Sequence, residues 1–520
     1  MNPNLESQSA PHSHFLSGGA TPEATREYFH SRNQPHSLLG KTGLTVSTLG
    51  FGSYRTGLNE PAHREALAHA LQSGCNLVDT STNYMDGESE RLVGQTLKAS
   101  NLPRAQTVVV TKVGYAQGEN LKIAQTKRAS GHAYPEMNII NDQCWHCISP
   151  EWLGDQITAS LERLGLQTID VLLLHNPEYF FQAQGSSQDH LEYYKRIEKA
   201  FLHLEKEADH GRIQWYGVSS NTFPDPRESD DYTSLEALEE LSEKISAERG
   251  RPSRFAVIQL PFNLLEPGAL LEPNNSNKSI LEFAKDKNLG VLINRPLNAF
   301  TDKKLVRLAD FPHHHPIDTI ELAQRAFQSA IDLEGNCPVA DQLEVSRIAW
   351  AHILKRNWSR IGDLLSWRDA YRYQIQPAFE EVLTELKRHA VEEKIPEFSS
   401  WIEKYELAER ALFDSVTAML EQEAAFRSRR ISAALDETTR ALKDSTSSEL
   451  SQKTLRVLMG APGVSSVLLG MRRLNYVDDA LKTPLLPLAE SESRACLEKV
   501  QNSLSQIFPD EHSNPSETVH

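Results

Sequence analysis

Residues 107–113 read TVVVTKV, and residues 169–175 read IDVLLLH. Both are short, mainly apolar runs without alternation; the first carries Lys112 next to its end and the second ends on His175. A strand with one wet face alternates apolar and polar residues. A run without alternation is buried on both faces, as in a parallel sheet covered by helices. Six more β-rich runs flank these two, at 47–53, 76–79, 213–219, 255–262, 290–295 and 465–470. Amphipathic helices fill most of the gaps. In 150–164, Ser149 is placed as N-cap, Pro150 as the first helical residue and Gly165 as the left-handed stop. Leu153, Ile157, Leu161 and Leu164 share one face of it. Residues 61–72 repeat the scheme. Eight βα units in series predict an α/β chain folded as a (β/α)8 barrel rather than an open sheet.

Two gaps break the rhythm. Roughly 36 residues separate the third strand from its helix, beyond an ordinary loop. About 150 more, at 299–450, lie between the seventh and eighth strands and carry helical periodicity throughout. The expected layout is a polar, partly disordered arm at 1–36, barrel at 37–298, helical insertion at 299–450, barrel again at 451–507, and a disordered tail at 508–520. An insertion after a strand leaves at its C-terminal end, so both insertions are expected to crowd the catalytic face. Trp350, Trp358, Trp367, Tyr371, Tyr373 and Trp401 are read as the core of a small helical unit, some of them able to line a substrate entrance.

The 520 residues carry a net charge of −16, from 54 basic and 70 acidic side chains. That charge disfavours nucleic acid and anionic membranes as partners. No apolar run approaches the length of a membrane span. Five cysteines in so long a chain point to reduced thiols, and the N-terminal residues lack an apolar leader core, so a cytoplasmic location is expected.

The chemistry collects at strand ends. Asp79 closes the second strand, Lys112 the third and His175 the fourth, while Tyr84 lies five residues beyond Asp79. A tyrosine with its ordinary pKa near 10 is a poor acid at neutral pH. A neighbouring ammonium favours the phenolate and lowers that value. Asp79 would hold Lys112, and His175 would orient a carbonyl oxygen. The set suits proton transfer to or from oxygen in a site shielded from water.

In ordered combination, LGKTGLTVSTLGFGSYR, VDTSTNYMDGESERLVG, VVVTKVG, RLGLQTIDVLLLH, YGVSSNTF and SVLLGMRRLNYVDDAL resemble the aldo-keto reductases. The likeness covers roughly 37–296 and 451–481. It implies an NAD(P)-dependent oxidoreductase acting on carbonyl or CH–OH groups, with Asp79, Tyr84, Lys112 and His175 as the catalytic set. The expected cofactor is NADP, with NAD as an option, held extended across the barrel mouth. Its implied contacts are Ser53, Tyr54, Asp79, Ser219, Ser220, Gln259, Asn294, Arg295, Gly470, Arg472 and Arg473. Ser220 stands where the family has Asn, with Asn221 following. Asn294 stands where many members stack an aromatic ring on the nicotinamide. The implied substrate is a small aldehyde, ketone or sugar. The alternative is a cofactor-sensing regulatory or scaffold protein whose helical insertion binds a protein partner.

Cys144-Trp-His-Cys147 invites a zinc reading, but no second such pair exists and a structural loop is preferred. The triplet at 313–315 is read as exposed loop, and no metal is expected.

Overall fold

The structure, a computed structural model, describes residues 15–30, 32, 34–183, 189–301, 304–311, 318–339, 347–361, 363–393, 396–443, 449–481 and 486–508. The His313–His315 triplet and residues 509–520 lie outside them. The eight runs form one closed parallel barrel. Its strands are β1 (Leu49–Gly52), β2 (Leu77–Asp79), β3 (Val108–Val113), β4 (Ile169–His175), β5 (Ile213–Ser219), β6 (Phe255–Pro261), β7 (Gly290–Asn294) and β8 (Val464–Leu469). They follow chain order round the ring, and β8 closes on β1 through Val467↔Leu49 and Leu469↔Phe51. Every residue of β3 and β4 is buried, as their unbroken apolar runs require.

The helix Pro150–Leu164 ends at Gly165 with φ 61° and has Ser149 at its N-cap position, without a capping hydrogen bond from the side chain. The Ser149 hydroxyl lies against Cys147 Sγ, 3.2 Å away. Leu153, Ile157 and Leu164 are buried as expected, joined by Trp152.

The chain divides into two compact units, one of 1–296 with 454–495 and one of 297–453 with 496–520. The stretch read as a polar arm differs from that reading from Phe15 onward. Leu16 bridges Leu166, and Ala20 N donates to Asp170 Oδ1 at 2.6 Å. The helix Pro22–Tyr28 buries Tyr28 completely, and its hydroxyl donates to Leu71 O. A few well-placed anchors fix a segment whose average polarity suggested disorder. A hairpin, His36–Leu38 with Thr45–Ser47, follows, and Leu39, Leu44 and Val46 join the apolar cluster that holds Val108, Val171 and Leu292.

The gap after β3 is ordered too. Tyr115–Ala116, Asn138–Asn141 and Cys144–His146 make a three-stranded antiparallel sheet beside the helix Gly118–Ala129. In the second unit a hairpin, Asn298–Thr301 with Lys304–Arg307, precedes helices that include the 43-residue Pro396–Thr438. Its own core gathers Phe327, Trp367, Phe379, Phe398, Tyr405 and Phe413. Of the aromatics assigned to that core, Tyr373 is the exception at 66 % exposed. No helix among the described residues is long and apolar enough to cross a membrane.

Candidate active site

The C-terminal ends of β2, β3, β4 and β6 bring one connected polar chain into the barrel mouth. Lys112 is fully buried, and its ammonium has three protons to place. Nζ donates to Asp79 Oδ2 at 2.7 Å, to Thr80 O at 2.9 Å and to the Tyr84 hydroxyl oxygen at 3.2 Å. All three protons are therefore spoken for. The Tyr84 oxygen receives one of them, which leaves its own O–H free to be given away. The other Asp79 oxygen accepts from Gln259 Nε2 at 2.8 Å. Gln259 Oε1 in turn lies 3.3 Å from the Ser219 hydroxyl that donates to it.

Tyr84 is aimed by an unusual turn. Met85, Asp86 and Gly87 follow it with φ of 49°, 57° and 84°, three successive left-handed residues. Such a run is costly for the two non-glycine members and sets the path of the chain just after Tyr84.

Electrostatics refine the sequence expectation. Burial raises the Tyr84 phenol above its ordinary value, and Lys112 opposes without cancelling it. The proton is thus held on Tyr84 in the free protein. Burial favours neutral amine at Lys112, but Asp79 and Tyr84 outweigh it and keep the ammonium. Burial first, and Lys112 second, push His175 well below its ordinary value, so the imidazole is neutral. Its Nδ1 lies 3.0 Å from Ser81 Oγ, which fixes the ring plane.

The remaining predicted residues divide. Ser53 uses its hydroxyl on Asp79 O at 2.7 Å and accepts from Ser89, a structural role at the same strand end. Tyr54 is exposed, its ring edge-on to Tyr84 at 5.2 Å. Ser219 points to Gln259, whereas the Ser220 hydroxyl turns inward to Thr222 and Thr233 at 3.1 and 3.2 Å. Asn221 is exposed, and its N–H donates to buried Glu178. Asn294 lies beside Gln259. Arg295, at φ 52°, pairs with Glu266 at 3.2 Å. Gly470, Arg472 and Arg473 form the loop between β8 and the helix Leu474–Leu481. Neither arginine has a carboxylate partner among the described residues.

Sequence reasoning missed the wall around His175. Tyr115 lies edge-on to it at 4.8 Å, and Tyr179 to Tyr115 at 4.9 Å. Asn176, left-handed at φ 50°, donates from Nδ2 to the Tyr115 hydroxyl at 2.9 Å. His146 Nε2–H reaches His175 O at 2.7 Å across Gly114. A Cβ on that glycine would sit 2.4 Å from the same carbonyl. In the 144–147 stretch, read as a structural loop in preference to a zinc site, the three side chains have separate partners, with Cys144 Sγ on Gln117, His146 on His175 O and Cys147 Sγ on Pro135 O.

The sequence pattern described as the Aldo/keto reductase family matches residues 48–359. NADH-specific methylglyoxal reductase of Escherichia coli is 34 % identical over 146 residues, 26 % of this chain and 40 % of that protein. A putative voltage-gated potassium channel subunit beta of Schizosaccharomyces pombe is 30 % identical over 155 residues, 29 % of this chain and 39 % of that one. Aldo-keto reductase AMT2 of Alternaria alternata is 24 % identical over 351 residues, 63 % of this chain and 83 % of that one. The chain thus spans about two fifths of the first two relatives.

Proposed function

The chain belongs to the aldo/keto reductase family, and from that membership we propose that it is an oxidoreductase interconverting a small carbonyl compound and its alcohol, with NADP(H) as partner and Tyr84 as the proton donor. The observation that carries this reading is the placement of the Lys112 protons. With all three committed, the Tyr84 hydroxyl accepts from the ammonium and keeps its own hydrogen for the substrate oxygen. As that hydrogen leaves, the phenolate it creates lies against a fixed cation in a site of low polarity, where such stabilisation is strong. Asp79 keeps the cation in place. Neutral His175, held by Ser81 and walled by Tyr115, orients the substrate oxygen without competing for the proton.

Two features fit a nicotinamide dinucleotide. Asn294 Oδ1 is buried with no hydrogen-bond donor. Arg472 and Arg473 lie on the loop after β8, and Arg473 is exposed there to meet a phosphate. The bound cofactor would supply or accept the hydride. Purified protein, offered NADPH or NADH with a panel of aldehydes, ketones and sugars, should show cofactor-dependent absorbance loss. The likeness to a potassium channel subunit beta favours a second reading, cofactor binding in the service of a protein partner. Tight NADPH binding without turnover on any substrate would select it.

A further inference from the structure

Asn294 stands at the last position of β7, opposite Pro261 of β6, with its side chain beside Gln259. Which end of its amide faces Gln259 follows from the polar chain itself. The Asp79 carboxylate only accepts, so the Gln259 group facing it must be the NH2. The Gln259 carbonyl oxygen therefore faces the other way. It takes the Ser219 hydroxyl at 3.3 Å and meets Asn294 at 3.5 Å, the long end of the hydrogen-bond range. Of the two ends of the Asn294 amide, only the NH2 can donate to that oxygen beside the Ser219 hydroxyl. The Asn294 carbonyl oxygen is thereby turned away from Gln259, and there it is buried without any donor. A buried acceptor left unpaired is costly, so the site is built for an N–H or O–H that the protein does not itself supply.

We infer that Asn294 Oδ1 accepts a hydrogen bond from the carboxamide NH2 of the nicotinamide, so that this chain holds the ring by its amide from β7. The inference rests on the dinucleotide reading above. Two observations single out that donor. The acceptor is one residue removed, through Gln259, from the Asp79–Lys112–Tyr84 group that must meet the reacting carbon and oxygen. The competing polar groups on β5 are also committed: Ser219 is given to Gln259, and Ser220 is turned inward to Thr222 and Thr233. An amide at this place gives directional recognition of an N–H where a stacked aromatic ring would give none.

The test pairs a change in the ligand with a change in the protein. The 3-acetylpyridine analogue of NADP+ keeps the carbonyl of the nicotinamide substituent and replaces its NH2 by methyl. Dissociation constants for NADP+ and this analogue are measured by titration calorimetry on the full chain, without substrate. The wild type is expected to prefer NADP+ by roughly tenfold, the size of one hydrogen bond to an otherwise unpaired buried acceptor. Asn294→Leu, similar in volume but without an acceptor, should bring that preference below about twofold while the analogue's own affinity holds. Asn294→Ala is measured alongside in case the leucine variant does not fold. A tenfold preference that survives in the variants overturns the assignment and leaves the dinucleotide reading standing. Equal binding of the two ligands by the wild type does the same. If the wild type binds neither NADP+ nor NAD+, the dinucleotide reading falls and takes this inference with it.

Discussion

Tyr84→Phe separates chemistry from architecture in this site. The substitution removes one oxygen. Lys112 loses its longest contact, at 3.2 Å, but keeps Asp79 at 2.7 Å and Thr80 O at 2.9 Å. The ammonium stays paired with Asp79, so the folding cost is at most that of one hydrogen bond to a charged group, about 1.5–3 kcal/mol. The ring remains, and with it the edge-on contacts to Tyr54 and His175. Turnover should respond on another scale. Loss of a positioned general acid lowers rates by about 10²–10⁴-fold, which is roughly 2.7–5.4 kcal/mol on the barrier. Thermal unfolding, NADPH titration and initial rates on the best substrate of the panel make the comparison. The expected outcome is a small Tm change, cofactor affinity within about twofold and at least a 100-fold loss of turnover. Turnover within tenfold of wild type would refute the assignment of Tyr84 as the proton donor.

Lys112→Met leaves the Asp79 carboxylate buried without its cation, and should lower stability by about 3–5 kcal/mol. Adding Asp79→Asn should recover part of that loss in chemical denaturation, and no recovery would show that the pair is not the cause. Replacing Arg472 and Arg473 by Ala should weaken NADPH far more than NADH, by about 1.5–3 kcal/mol for each lost charge-assisted bond. Equal losses for both cofactors would mean that the loop does not read the extra phosphate. Burial pushes the Glu178 carboxyl up to about 7 despite the Asn221 N–H bonded to it. Its folded value lies above the unfolded one, so its contribution to stability is complete below pH 4.5 and is lost as pH rises through 7. Glu178→Gln, neutral at every pH, should therefore gain on the wild type from pH 5 to pH 8, by up to about 3 kcal/mol. A Tm difference that is the same at both pH values would contradict this.

The barrel was legible because its strands are buried on both faces, and VVVTKV and IDVLLLH announce that condition without help from context. The strand-end residues Asp79, Lys112 and His175 were legible for a related reason, since ionisable groups at the ends of apolar runs need partners. What escaped the sequence was decided by contacts between distant segments. Nothing in SHFLSGGATPEATREYFH shows that Tyr28 will be wholly buried or that Asp170 will catch Ala20 N. The small sheet after β3 has strands of two to four residues, too short for any periodicity to register. The direction of a hydroxyl is also invisible in sequence. Ser219 and Ser220 are neighbours of one type, yet one faces the site and the other the interior. The sign of the Tyr84 shift was misjudged because charge can be read from a motif, whereas burial cannot.

The pairing of β7 with β8 joins Val291 to Val464, residues that are neighbours in the ring and far apart in the chain. Bringing together the ends of an unstructured loop of roughly 170 residues costs about 4–5 kcal/mol in chain entropy. The second unit has an apolar core of its own. If it condenses first, the long tether shrinks to the separation of that unit's two ends, and the last seam of the ring can shut at a smaller entropic cost. The order of assembly during synthesis then follows from chain position. β1 to β7 emerge with two edges of the ring open, those of β1 and β7, and an exposed parallel edge is prone to association with other chains. On that order, the interval of greatest exposure is the time taken to make the helices that separate the last two strands.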